Sequence, residues 1–219
     1  PILGRELFAK PVSGSGGYFN MRAVKECVVK DGEYPTMMLH RKNNRQQFLL
    51  SIDTSSANGL DSDHFAMSLF LLMPEDRRMC QVNTYARAGP GSDIPAQYEY
   101  LVYLLKNFNI VFIVIDATST DAQFLKDFNE SAIAKENNIK LGFLDVDFEV
   151  GSEGYVQELK KAREQWNLEE RRIVYKFVAS SSSNRRMAEI LQTQINARRV
   201  WFGSKISQSK EAFALLSKF

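Results

Sequence analysis

The run Ile110–Asp116, IVFIVID, constrains the fold of this chain more than any other segment. Its six consecutive apolar residues, five of them β-branched, favour an extended strand. A strand without alternation has no polar face to offer to water. It therefore reads as a central strand covered on both sides, as in an α/β sheet with helices packed on it. The aspartate that closes the run then sits where the chain leaves the core.

The rest of the chain can be arranged around that strand. Val12–Gly17 (VSGSGG) reads as a loop, and Asn20 as the cap of a helix reaching about Val29, broken by Asp31–Pro35. Arg41–Gln47 (RKNNRQQ) is a polar loop. Phe48–Asp53, His64–Met73 and Met79–Ala86 are apolar runs of strand length separated by turn-rich segments, which predicts an antiparallel meander. Gly89–Pro95 is a loop. Beyond it Tyr98, Leu101, Val102, Leu105 and Phe108 recur at helical spacing over Ala96–Phe108. Further helices are expected over Ala122–Ile133, Glu153–Trp166, Asn184–Ala197 and from Ser207 to the end. Short strands are expected over Lys140–Phe148, Ile173–Val178 and Arg199–Phe202, with a polar turn at Ser180–Ser183. The order β-β-β-α-β-α, an acidic excursion, then β-α-β-α describes a layered α/β domain and not a doubly wound nucleotide fold.

At 219 residues, with 44% hydrophobic and 25% charged residues, the chain has the composition of one globular domain. Disordered, collagen-like and strongly basic tail-like chains are excluded. No apolar run approaches the ~20 residues of a membrane helix and no signal peptide opens the chain, so a soluble, intracellular protein without a membrane partner is expected. The formal charge of +2 conceals an asymmetry. Residues 1–159 hold 15 Lys and Arg against 21 Asp and Glu, whereas residues 160–219 hold 13 against 5. Such a split marks either a polyanion partner or two solvated faces.

Cys27 and Cys80 are expected as two reduced thiols, and with His40 and His64 they match no zinc-ligand spacing. No Gly-x-Ser-x-Gly occurs. Carboxylates are therefore the better candidates for chemistry. Asp53 and Asp116 share a context: each ends an apolar strand and enters a small hydroxyl-bearing loop, SIDTSSANG and VIDATSTDA. One such aspartate commonly does no more than cap the loop. Two of them on neighbouring strands point to a divalent cation site, with hard oxygen ligands suited to Mg²⁺ or Mn²⁺.

Several segments together carry a family resemblance. They are Glu6–Val28 (ELFAKPVSGSGGYFNMRAVKECV), Ser51–Phe70 (SIDTSSANGLDSDHFAMSLF), Phe112–Phe128 (FIVIDATSTDAQFLKDF) and Phe177–Phe202 (FVASSSSNRRMAEILQTQINARRVWF). With an acid on the first strand and another on the fourth, the chain resembles the ribonuclease H-like nuclease domain of tailed-phage terminase large subunits. The fold this implies is a central mixed sheet of five or more strands, an antiparallel meander plus parallel strands, flanked by helices. It would be a single nuclease domain over 1–219, with a lead-in over 1–46 and the core over 47–219. The resemblance implies Asp53 and Asp116 as catalytic metal ligands, Asp63 as an additional acid, and two Mg²⁺ or Mn²⁺ ions. It places the basic residues of the later strand–helix–strand segment near DNA, here Arg185, Arg186, Arg198, Arg199 and Lys205, with Arg171 and Arg172 preceding them. Ser119 stands where the family usually has Gly. A third acid is usual shortly after the last helix, but residues 190–219 contain no Asp. That ligand is expected beyond Phe219, or else from Asp145 or Asp147.

The activity implied is that of a Mg²⁺- or Mn²⁺-dependent endonuclease, cutting concatemeric viral DNA during genome packaging by two-metal hydrolysis. Its implied partners are double-stranded DNA, a portal protein and a terminase small subunit, in the host cell cytoplasm. No Gly-x-x-x-x-Gly-Lys-Ser/Thr is present, so ATP hydrolysis at a P-loop is not expected. Alternatives that use the same features are a junction resolvase or transposase-like enzyme, and a non-catalytic scaffold docking DNA or a portal. An actin-like ATPase would need a Gly-rich loop that the segment after Asp116 lacks.

Overall fold

The unalternated run forms β4 (Ile110–Asp116), and a seven-stranded sheet is built around it in this computed structural model. The structure describes residues 20–29, 38–54, 65–87, 94–116, 121–144, 152–177 and 181–202. Beside β4 lies β1 (Gln47–Asp53), parallel to it, and β1 continues into an antiparallel meander with β2 (Phe65–Met73) and β3 (Arg78–Arg87). On the other side of β4 come β6 (Ile173–Phe177) and then β5 (Gly142–Leu144), both parallel to it. The two-residue β7 (Val200–Trp201) pairs with β3, giving the order β5-β6-β4-β1-β2-β3-β7. Every strand but β2 runs in the same sense. The sheet therefore has one edge where strands begin, the amino edge, and one where they end, the carboxyl edge.

Both faces of β4 are covered, as its sequence demands. On one face Ile113 and Ile115 join Phe48, Leu50 and Ile52 of β1 and Met67 and Leu69 of β2. Helices α2 (Ile94–Asn107), α3 (Asp121–Glu130) and α4 (Ala132–Glu136) close over them with Tyr98, Leu101, Leu104, Leu125, Phe128 and Ala134. Each fully buried Ile or Leu here contributes about 1.5–3 kcal/mol. On the other face Phe112 and Val114 pack on a smaller cluster of Leu144, Ile173 and Tyr175 with Tyr155, Leu159 and Ala162 of α5 (Glu153–Trp166). Phe112 stacks on Tyr175 at 4.0 Å, and the Tyr155 and Tyr175 hydroxyls are 2.7 Å apart. A buried polar relay in the large core runs from Tyr100, whose hydroxyl donates to Asn83 Oδ1 (2.6 Å), through Asn83 Nδ2 to the Met38 carbonyl (3.0 Å).

Local signals account for most boundaries, and three depart from expectation. The helix begun by Asn20, α1 (Met21–Glu26), ends well before Val29. Val28 forms a parallel bridge with Phe202, and Val29 N–H donates to the Phe202 carbonyl at 2.9 Å, so tertiary pairing takes over the end of the helical pattern. The helix expected over 122–133 is interrupted by Ser131, whose hydroxyl donates to the Phe128 carbonyl (2.6 Å) and accepts from Ala134 N–H (3.1 Å), ending α3 and starting α4. Ser181–Ser183 are not a turn but the first residues of α6 (Ser181–Asn196). The Val12–Gly17 loop, the Asp31–Pro35 break and the helix expected from Ser207 lie outside the described residues, as does Lys140–Phe148 beyond Leu144. Cys27 and Cys80 are both buried and free. Among the described residues no helix is long and apolar enough to cross a membrane.

Two measurements check this packing. A Cβ on Gly142 would meet Trp166 Cγ at 2.7 Å and Ile173 Cδ1 at 2.9 Å. Gly142→Ala is expected to destabilise the protein by about 1–3 kcal/mol in urea unfolding. Burial pushes the Cys80 thiol up to about 11 and the Tyr98 and Tyr103 hydroxyls up to about 12. The unfolded chain loses these protons first. Their contribution is therefore complete below pH about 9, and the urea midpoint is expected to fall steadily from there towards pH 12.

Candidate metal site at the carboxyl edge

Two apolar strands paired in parallel bring their terminal residues to the same edge. Between β1 and β4 the register is Leu50↔Ile113, Ser51↔Val114 and Ile52↔Ile115. Asp53 and Asp116 are the next residue on each strand, so their backbones lie side by side, about 4.8 Å apart. Asp53 is also paired with Ala66 of β2, and Asp116 with Phe177 of β6. Hydrophobic burial fixes this register. Leu50, Ile52, Ile113 and Ile115 are all essentially inaccessible, and a slip of one residue would turn half of them to the wrong face. Asp53 is exposed.

Next to Asp53, Thr54 Oγ1 is buried with no hydrogen-bond partner, an arrangement that bound water or an ion commonly explains. The residue types Asp53, Thr54 and Asp116 offer only hard oxygen donors, a chemistry that suits Mg²⁺ or Mn²⁺. Among the described residues no group of three or more His, Cys, Asp or Glu converges on one point. Asp63, Asp145 and Asp147 lie outside the described residues.

A feature missed in the sequence extends from Asp53 across the meander. Ser51 pairs with Ser68, and Ser68 with Thr84. The Ser68 and Thr84 hydroxyls are 3.4 Å apart, while Gln81 Nε2 donates to Thr84 Oγ1 (2.8 Å) and to Ser68 Oγ (3.3 Å). This half-buried polar row lies opposite the large core. Its sequence signal was a small polar residue at an alternating position inside each apolar strand.

The basic residues read from sequence do not gather around the aspartates. Arg185 and Arg186 lie in the first half of α6, which follows the carboxyl end of β6, and Arg185 pairs with Glu189 at 2.9 Å. Arg198 and Arg199 lie beyond the other end of the helix, about 16 Å of helix away, at the amino edge. There Arg198 donates to the Ile195 and Asn196 carbonyls and pairs with Glu26, while the Arg199 carbonyl accepts from Met79 N–H (2.8 Å). Arg171 and Arg172 sit in a 3-10 turn at the start of β6, again at the amino edge, with Arg171 paired to Glu169 at 2.6 Å. Burial, with Arg171 adding to it, lowers the pKa of the Arg172 guanidinium. Lys205 lies outside the described residues.

Neither a protein-family model nor a curated protein sequence matches the chain. The nuclease domain of human cytomegalovirus terminase superposes on it with a TM-score of 0.50, at 10% identity, covering 91% of this chain and 84% of that one. The large terminase nuclease of thermophilic phage G20c, solved with bound magnesium, gives a TM-score of 0.43 at 12% identity over 89% of this chain and 77% of that one. Its cobalt-bound form gives 0.41. The chain thus has the ribonuclease H-like fold seen in terminase nuclease domains, with the mixed sheet and flanking helices expected from the sequence.

The side-by-side placement of the aspartates has a direct check. Parallel neighbours about 4.8 Å apart fall within the Cα separations that a disulfide bridges. Asp53→Cys combined with Asp116→Cys is expected to cross-link under mild oxidation, leaving only the two native thiols titratable after unfolding. Four titratable thiols would contradict the register.

Proposed function

We propose that this chain is a nuclease domain of the terminase large-subunit type, a Mg²⁺- or Mn²⁺-dependent endonuclease that cuts concatemeric viral DNA during packaging. The observation that carries the reading is the β1–β4 register, which sets two strand-terminal aspartates side by side at one edge of a ribonuclease H-like sheet. Fold likeness to a terminase nuclease domain supports it. On this reading residues 47–219 form the core and 1–46 its lead-in.

Asp53, with a paired strand on each side, would hold both ions, and Asp116 one of them. Asp63, Asp145 or Asp147 would supply a further carboxylate. In sequence, Asp63 lies between β1 and β2, and Asp145 and Asp147 follow β5. Two bound ions would supply the Lewis acidity that phosphodiester hydrolysis needs. The carboxylates would hold the ions and offset their charge, and the reaction would require no protein nucleophile. The partners that follow from this reading are duplex DNA, a portal protein and a terminase small subunit, in the host cell cytoplasm.

Plasmid nicking tests the reading. Wild-type chain is expected to nick supercoiled DNA with Mn²⁺ or Mg²⁺ and to stop with EDTA. Asp53→Asn and Asp116→Asn are each expected to lower the rate at least ~100-fold while the unfolding midpoint stays within the small range usual for surface substitutions. Undiminished Mn²⁺-dependent nicking by Asp53→Asn would refute the assignment.

A further inference from the structure

The fold sorts charge by sheet edge, a division that the linear split at residue 160 does not reveal. The described connections at the amino edge are residues 38–46, 74–77, 108–109, 137–141, 167–172 and 197–199. Together they contain nine Lys and Arg against four Asp and Glu. In sequence, residues 54–64, 88–93, 117–120, 145–152 and 178–180, which separate the elements whose ends meet at the opposite edge, contain six Asp and Glu and no Lys or Arg. Strand ends add Asp53 and Asp116 there, together with Lys176 and Arg87.

The cations of the amino edge are spread along it and not bunched. Across the sheet from β5 to β7 they include Lys140, Arg171, Arg41, Arg45, Arg77 and Arg199, which precede β5, β6, β1, β3 and β7 in turn. Six inter-strand steps make this row about 29 Å long. All six but the half-buried Arg41 are exposed. Arg41, Arg45, Arg77 and Arg199 make no ion pair among the described residues. The acids of the same edge are Glu75 and Asp76 in the β2–β3 turn, and Glu169 and Glu170, which pair with Arg171 and Arg163.

We propose that this amino-edge row is a phosphate-backbone binding surface for duplex DNA, separate from the acidic edge that would cut it. The proposal rests on the DNA reading given above. Its mostly exposed cations, ahead of five of the seven strands, match an extended polyanion, and 29 Å corresponds to about eight or nine base pairs. A protein partner fits less well. Protein interfaces are anchored by buried apolar or aromatic residues. Among the described residues the exposed large apolar side chains, Ile94, Val156, Met187 and Ile190, lie at the carboxyl-edge starts of α2 and α5 and within α6. The segment leading into β1, RKNNRQ, instead supplies Arg, Lys, Asn and Gln, which are phosphate-contacting types. At ~3.3 Å per residue the seven-residue β1 sets the two edges about 20 Å apart. DNA held on the row is thereby kept away from the aspartates.

The test is fluorescence anisotropy with a labelled 30-base-pair duplex in EDTA, with Kd followed across salt concentrations. The Arg41→Gln, Arg45→Gln, Arg77→Gln variant is expected to bind at least ~10-fold more weakly, with the log–log salt slope reduced by about 2–3. Lys160→Gln with Lys161→Gln, exposed on α5, should leave that slope nearly unchanged. Circular dichroism melting confirms that each variant is folded, and Arg199→Gln serves as an independent probe in a different connection. An unchanged slope in both amino-edge variants would overturn the proposal, as would amino-edge binding of a poly-aspartate peptide in preference to the duplex. Nicking measured on the same proteins separates the two readings. Wild-type chain that binds through the row but never cuts would defeat the nuclease assignment alone. Cutting with a row that plays no part in binding would defeat this proposal alone.

Discussion

The parallel pairing of β1 with β4 is the contact on which the remainder of the structure depends. Leu50, Ile52, Ile113 and Ile115 interlock on one face of these two strands, and that burial leaves a single register. The same register decides where both strands stop, and so where the two aspartates stand. Core and candidate site are therefore one constraint seen at two points. A substitution deep in the β1–β4 contact that altered register would disturb the carboxylates without touching them.

Much of this was legible in the sequence because burial leaves a periodic trace. The unbroken IVFIVID run announced a strand covered on both faces, the three apolar runs before it announced a meander, and Glu153–Trp166 appeared at its true limits. Other features have no trace at short range. The insertion of β6 between β4 and β5 reverses chain order, and only long-range pairing determines it. Val28 leaves its helical pattern because Phe202, remote in sequence, offers it a backbone partner. The two aspartates were visible as strand-terminal acids, whereas a converging third acid is a property of space and not of spacing.

Charge shows the same limit. Dividing the chain at residue 160 suggested an acidic body and a basic end, but α6 carries Arg185 and Arg198 to opposite sides of the sheet. What the fold creates is a gradient along the strand direction. At the amino edge the described connections gather nine Lys and Arg against four Asp and Glu from segments far apart in sequence, an excess that only the fold assembles.

The outermost strands, β5 and β7, are only three and two residues long. A sheet margin invites another chain to add a strand in proportion to the number of unpaired amides and carbonyls it presents in line. Here each margin presents too few to hold a visiting strand, although the five strands between them form a wide and strongly apolar ribbon. On the β7 side the margin is shortened further by Val28, which bridges to Phe202 and takes up backbone groups that would otherwise face outward.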